Sequence, residues 1–139
     1  FSSLKLARDF YLQTLTALSV GNRRDPMFWM FRYDNYALTD LMKSAQNGHC
    51  IESLIPAGLA KLIEYDLENH RHFTNALKVY LRENMHIANT IKKLYLQRAT
   101  FLYQLKRILE ISELKLEDHK VRLELLIAFE IMDEMHIEL

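Results

Sequence analysis

Five basic side chains and no acidic one lie within residues 84–109, and phosphate binding is the chemistry that this pattern suits best. The five are Lys92, Lys93, Arg98, Lys106 and Arg107. The flanking stretches differ, because residues 1–83 carry a net charge of +1 and residues 110–139 a net charge of −6. Basic charge confined to one short unit is typical of a surface that contacts nucleic-acid phosphates. A solvated basic face explains the same charges, but the complete absence of acids favours phosphate contact.

The chain as a whole is neutral, with 18 basic and 18 acidic side chains among 139 residues. Taken alone, that balance argues against a nucleic-acid binder, which usually carries a basic surplus. The uneven distribution removes the objection, because a +5 stretch and a −6 stretch cancel in the sum. Any contact with phosphates is therefore expected to be local to the two-helix unit that carries the basic residues.

The apolar spacing inside the basic stretch predicts two short helices that cross, at about residues 87–94 and 98–110. The residues expected to fill the crossing are Ile91, Leu94, Leu96, Phe101 and Leu105. In a helix-turn-helix, the start of the second helix enters the major groove, and here that start holds Gln97, Arg98 and Thr100. Such side chains pair with adenine, with guanine, and with a phosphate or a thymine methyl group, respectively. Spacing alone favours an ordinary helical hairpin, so that alternative stays open.

Helical periodicity extends along almost the whole chain and predicts an all-α, multi-helix fold. The first apolar stripe consists of Leu4, Ala7, Tyr11, Leu15 and Leu18. Its helix is expected to end at Gly21–Asn22, and Met27–Tyr33 is expected to form one short strand or an extended segment. Further helices are predicted at about 37–46, 59–66, 73–84 and 121–135. The last is apolar over a wide arc, which indicates a core helix or an interface.

Other kinds of site find little support in the sequence. A single cysteine, Cys50, excludes an internal disulfide and fits a cytoplasmic protein. Nothing completes a metal site around His49–Cys50, and His70 and His72 point to different sides of a helix, so we expect no metal and no cofactor. Enzyme motifs such as a glycine-rich phosphate loop or a serine elbow are missing, and so is any apolar run of the roughly 20 residues that a membrane helix needs. The acidic run is interpreted as a solvated stretch and contains Glu64, Asp66 and Glu68.

The stretch Leu94–Ile108 resembles the C-terminal helix-turn-helix of the PucR/CdaR family of bacterial transcriptional regulators, an element similar to the Fis-type helix-turn-helix. The family pattern is roughly L-x-V-H-R-N-T-L-R-Y-R-L-x-R-I. The residues that match it are Leu94, Arg98, Thr100, Tyr103, Leu105, Arg107 and Ile108. Three segments on either side of this stretch also resemble parts of the family's domain. They are 59–66, 73–81 and 114–123. Residues 7–21 and 32–38 resemble the end of the GGDEF-like module that precedes this domain in many members.

The resemblance implies two parts in the chain. Residues 1–36 would be the remnant of the upstream module with its linker, and residues 37–139 the helical C-terminal domain with its helix-turn-helix at about 87–110. It also implies a DNA-binding output domain that acts on an operator in double-stranded DNA, as a homodimer, with any effector bound by upstream domains. The broad apolar last helix is a candidate dimer surface.

The recognition helix departs from the family pattern at four positions. Gln97 replaces a histidine, Ala99 an asparagine, and Leu102 and Gln104 two arginines. Each lost phosphate contact lowers affinity and weakens its dependence on salt. A degenerate helix-turn-helix that serves dimerisation or protein interaction without DNA binding is therefore the alternative. The residues expected to contact DNA are Lys92, Lys93, Gln97, Arg98, Thr100, Tyr103, Gln104, Lys106 and Arg107.

Overall fold

The computed structural model describes residues 4–45 and 55–134. Within these ranges the chain forms seven α-helices and no strand, which confirms the predicted all-α fold class. The helices are α1 Leu4–Arg24, α2 Ala37–Ala45, α3 Ala57–Asn69, α4 Phe73–Arg82, α5 Ile87–Leu94, α6 Arg98–Ser112 and α7 His119–Glu134. A short 3-10 helix, Tyr33–Asn35, precedes α2. No helix in the described part of the chain is both long and apolar enough to cross a membrane.

Contacts divide the chain into two compact units, Phe1–His49 and Cys50–Leu139. The small buried cluster of the first unit contains Ala17, Val20 and Tyr36. Asp40 of α2 accepts a hydrogen bond of 2.8 Å from the hydroxyl of Tyr33, which ties the start of α2 to the 3-10 helix. The first unit is thus built from α1, the 3-10 helix and α2.

The first helix does not end where the sequence predicts. It continues through Gly21–Asn22 to Arg24, so the expected stop signal is wrong. A Cβ atom at Gly21 would lie 2.3 Å from Cδ1 of Phe31, so the glycine admits a close aromatic neighbour instead of ending the helix. Of the two alternatives for Met27–Tyr33, the short strand does not form, and the segment contains a turn and an extended Arg32 that leads into the 3-10 helix.

The apolar stripe that the sequence places on one face of α1 is mostly exposed. Tyr11, Leu15 and Leu18 are 44–63% exposed, whereas Ala17 and Val20 are buried. The buried residues are smaller, and their short side chains let the aromatic rings of the unit approach the helix closely. Periodicity therefore identifies the helix correctly but does not identify the face that packs.

The second unit has a core to which α3, α4, α6 and α7 all contribute. Its largest fully buried members are Leu59, Leu62, Leu77, Ile108, Leu125 and Phe129. The start of α3 lies directly against the end of α6, because a Cβ atom at Gly58 would come within 2.5 Å of the carbonyl oxygen of Ser112. Burial of large apolar side chains contributes on the order of 2 kcal/mol each, so this cluster supplies most of the stability that holds the helix-turn-helix in place.

Most of the apolar arc of α7 is used by this core. Ala128 and Met132 are buried beside the larger residues, while Leu123 and Ile127 remain exposed. The polar side of α7 is tied to α4 by ion pairs, since the guanidinium of Arg82 lies 2.7 Å from Asp133. Lys78 pairs with the same carboxylate. Of the two roles predicted for this helix, core or interface, the core role therefore accounts for most of its apolar side chains.

We expect Asp133 to make stability depend on acid. Burial would raise the pKa of Asp133, but the hydrogen bonds and charges of Lys78 and Arg82 outweigh it and hold the pKa below its usual value. A carboxyl group with a lowered native pKa stabilises the fold above its unfolded pKa, and that contribution is lost as pH falls through the native value. Asp133→Asn should cost about 1 kcal/mol at pH 7, a figure reduced for the part-exposed site. Denaturant unfolding of both proteins should show the difference shrinking below about pH 4, and a constant difference would contradict the assignment.

Candidate nucleic-acid interface

The two central helices of the second unit form the predicted helix-turn-helix. The first, α5, ends at Leu94, and Tyr95 adopts a left-handed conformation with φ of 53°. The amide of Leu96 donates a 3.0 Å hydrogen bond to the carbonyl of Ile91, which closes the end of α5. The second helix, α6, then begins at Arg98, so the predicted start is confirmed and the predicted end is exceeded by two residues.

The crossing of α5 and α6 is filled largely as the sequence predicts. Phe101 is fully buried, with its ring centroid 5.5 Å from that of Tyr80 on α4. The other four predicted residues, Ile91, Leu94, Leu96 and Leu105, are each half-buried. Thr90 is also fully buried, and its hydroxyl donates to the carbonyl of His86, a contact that the apolar pattern does not reveal. The pair of helices is therefore fixed against α4.

The start of α6 faces solvent. Gln97, Arg98 and Thr100 are exposed, and the side chain of Gln97 makes no capping hydrogen bond to the helix. The first turn of α6 contains no acid. The first amides of any helix lack partners within it and carry the positive end of its dipole, so this terminus suits a phosphate oxygen.

The five basic residues divide into two groups. Lys92, Arg98 and Lys106 are exposed, and in the described ranges none of them forms an ion pair. Lys93 pairs with Glu83, and Arg107 lies 2.8 Å from Glu110. The three unpaired residues are therefore the ones with charge available to a phosphate.

Arg107 is held on the flank of α6 by two neighbours. The pKa of Arg107 is raised mostly by a hydrogen bond to Tyr65, and the hydrogen bond to Glu110 raises it further. The guanidinium thus stays charged, but some of its five donors are already used within the protein. We assign Arg107 chiefly to holding α6 against α3.

Tyr103 and Gln104 lie on two different parts of α6. Tyr103 is 64% exposed, while Gln104 is half-buried and points to the flank. With Thr100 and Arg107 they line an open groove of about 470 Å³, whose other wall comes from the α3–α4 turn and its neighbours. The residues of that wall are Tyr65, Arg71 and Phe73.

Two residues at the α3–α4 junction have roles that the sequence pattern does not reveal. Asp66 is half-buried rather than part of a solvated acidic stretch, and its carboxylate accepts hydrogen bonds from the amides of Phe73 at 3.0 Å and Thr74 at 2.7 Å. It caps α4 from a neighbouring helix. Arg71 lies in the turn itself and is exposed. A short-range motif search cannot find either role, because both depend on contacts between helices.

Two of the departures from the family pattern lie on the exposed side of α6. Ala99 is exposed and Leu102 is 40% exposed, where the pattern has an asparagine and an arginine. In the adjoining turn, Tyr95 is 95% exposed. The recognition surface is therefore less polar than the pattern predicts. No group of histidine, cysteine or acidic residues within 4–45 and 55–134 is arranged to hold a metal ion.

A scan against protein-family models matches residues 73–131 to the PucR C-terminal helix-turn-helix domain. The matched segment runs from the start of α4 into α7 and includes both helices of the motif. No curated protein and no solved structure matches the chain. A CdaR relationship and a GGDEF-like remnant in residues 1–36 stay predictions. The family match and the geometry together support a PucR-type helix-turn-helix in residues 73–131.

Proposed function

We propose that the chain is the DNA-binding output domain of a bacterial PucR-like transcriptional regulator, and that the start of α6 enters the major groove of an operator. The observation that carries the proposal is the solvent-facing, uncapped start of α6, which lies among three basic residues that form no ion pair in the described part of the chain. Helix starts of this kind bind phosphates and base edges in other helix-turn-helix proteins.

We assign each exposed residue the DNA contact that its side chain can make. Arg98 and Gln97 are placed to read base edges, and Thr100 to contact a phosphate or a thymine methyl group. Lys92 and Lys106 hold the sugar–phosphate backbone, which positions the domain without reading sequence. Lys93, Gln104 and Arg107 have smaller roles, since two are ion-paired and one is turned to the flank. The exposed Tyr103 is placed to reach a phosphate through its hydroxyl.

We further propose that the domain works as a dimer. A single helix-turn-helix with three available cations makes few phosphate contacts, and two copies on half-sites about one helical turn apart multiply the affinity. Leu123 and Ile127, four residues apart on α7, are the exposed apolar pair on the helix that the sequence marks as a possible interface.

The alternative function is a helical interaction module without DNA binding. The exposed Ala99, Leu102 and Tyr95 favour it, because apolar surface on the outer side of α6 suits a protein partner better than a phosphate. The acidic α7 region points the same way, since its charge repels the DNA backbone.

Direct binding measurements separate the two functions. We expect the 139-residue chain to bind duplex DNA from the region upstream of its own gene, with affinity that falls as salt rises from 50 to 200 mM. Two backbone phosphate contacts per domain, from Lys92 and Lys106, correspond to a slope of about −1.8 in log K against log salt, roughly doubled for a dimer. Sedimentation over a range of concentrations gives the oligomeric state. A chain that assembles but does not bind at 50 mM salt supports the interaction module and contradicts the proposal.

A further inference from the structure

The α3–α4 turn, residues 70–72, lies along one flank of the recognition helix. The groove described above joins Arg71 to Thr100, Tyr103 and Gln104 of α6. A second groove places the same turn beside the linker of the helix-turn-helix, and its walls include Leu96 and again Gln104. Arg71 lines both grooves, so it is next to the recognition surface although it precedes the motif by many residues in sequence.

The position of the turn is set by Asp66. The backbone carbonyl of Asp66 accepts a hydrogen bond of 3.1 Å from the amide of Arg71. The same carbonyl accepts a hydrogen bond from the amide of His70, the residue that ends α3. The carboxylate of the same residue holds the first amides of α4. Because one residue secures both ends of the turn, the backbone at Arg71 is fixed before any ligand arrives. A preorganised contact loses less entropy on binding than a mobile one.

The charge of Arg71 is available. Its side chain is exposed, and among residues 4–45 and 55–134 it forms no ion pair. No acidic residue lines either groove. The groove also presents hydroxyl and amide groups from Thr100, Tyr103 and Gln104, which are common donors to phosphate oxygens. A guanidinium with such neighbours matches the geometry of a phosphate group.

We propose that Arg71 contacts a DNA backbone phosphate beside the half-site, as an anchor outside the helix-turn-helix. The proposal rests on the proposed DNA-binding function. A helix lying in the major groove has a sugar–phosphate strand along each side, and the flank of α6 that meets the α3–α4 turn is where one of these strands passes. Arg71 then increases affinity for all sequences and carries no base specificity.

The test compares three versions of the full chain on a mixed-sequence 30-base-pair duplex, by fluorescence anisotropy between 50 and 200 mM salt. Arg71→Ala should weaken binding about three- to ten-fold at the lowest salt and make the slope shallower by about 0.9. Lys115→Ala is the matched control, since Lys115 is also exposed, forms no ion pair within the described ranges and lines neither groove. It should bind like the unmodified chain. Thermal unfolding of each variant excludes a folding defect as the cause.

The outcomes separate this proposal from the proposed function. If the unmodified chain binds with a salt-dependent affinity and Arg71→Ala binds equally well with the same slope, the anchor is wrong and the DNA-binding function stands. If the unmodified chain does not bind at all, both are wrong. A separate titration uses inorganic phosphate at constant ionic strength, and we expect no saturable binding. Saturable binding that requires Arg71 would identify a small-anion site and overturn the backbone contact.

Discussion

Reversing the charge at Arg98 and Lys106 to glutamate is expected to abolish DNA binding by the full chain. Both residues are exposed on α6 and form no ion pair in the described part of the chain, so their charges are available to phosphate or base. The double change shifts the local charge by four units, which replaces two attractions by two repulsions at the recognition surface. At 50 mM salt we expect a loss of at least about 100-fold, because each phosphate contact contributes separately.

The matched control reverses Lys115 and Lys120, which lie beyond the end of α6 and at the start of α7. This variant has the same net charge, and both sites are exposed, although Lys120 lies 3.9 Å from Glu124. It should retain at least about half of the binding free energy that the unmodified chain shows, since only the long-range field changes. Equal loss in both variants would mean that total charge controls binding and that α6 has no special role.

Stability must be followed in parallel. Surface substitutions of this type usually change the free energy of unfolding by less than about 0.5 kcal/mol. Lys106→Glu adds a like charge four residues before Glu110, which costs a few tenths of a kcal/mol. Circular dichroism and thermal unfolding should therefore find both variants folded. A chain that keeps its fold and its oligomeric state while losing DNA would agree with a recognition role for α6.

The division of the basic residues shows what a sequence window can miss. Residues 84–109 contain no acid, and the sequence analysis expects all five cations of this stretch to contact DNA. The first acids outside the window, Glu83 and Glu110, are the ones that pair with Lys93 and Arg107. Partners one residue beyond each boundary thus remove two of the five charges. The local phosphate-binding surface stays a prediction, and its available charge is smaller than the five cations indicate.

Helices and the two-helix motif could be predicted because they depend on short-range regularities. The period of the apolar residues fixes α5 and α6 closely, and the left-handed Tyr95 ends α5 near the expected turn. Which face of a helix is buried depends on distant partners, so periodicity predicts the stripe on α1 but not the exposure of that stripe to solvent. The same limit applies to the groove residues. Arg71 and Thr100 are brought together by the packing of α3 and α4 against α6, and no spacing in the sequence encodes that.

The role of Asp66 leads to the second large effect, a loss of stability on Asp66→Ala. The change removes three hydrogen bonds, from the amides of Phe73 and Thr74 and from the hydroxyl of Thr74. Phe73 and Thr74 are buried, so their amides are left without a ready replacement in water. Losing a helix cap costs about 1 kcal/mol and an unsatisfied buried donor about 1–3 kcal/mol, so we expect a total of about 2–3 kcal/mol.

Thermal or denaturant unfolding measures this loss, and two variants make the result specific. Glu68→Ala removes the same charge from an exposed position on the same helix, where the structure gives no hydrogen bond, and it should change stability by less than about 0.5 kcal/mol. Asp66→Asn keeps one acceptor oxygen and should fall between the two. Equal stability of Asp66→Ala and Glu68→Ala would show that the carboxylate is not holding α4.

The same variant also connects stability with binding. Without its carboxylate, residue 66 still offers a backbone carbonyl to the α3–α4 turn, but the link to α4 is gone. Arg71 then samples more positions, and the entropy lost on binding a phosphate increases. Asp66→Ala, studied well below its unfolding temperature, should therefore bind DNA more weakly than Glu68→Ala. Combining it with Arg71→Ala should add little further loss, because the two changes remove the same anchor. Full additivity would instead mean that Asp66 acts on α6 through the core and not through the turn.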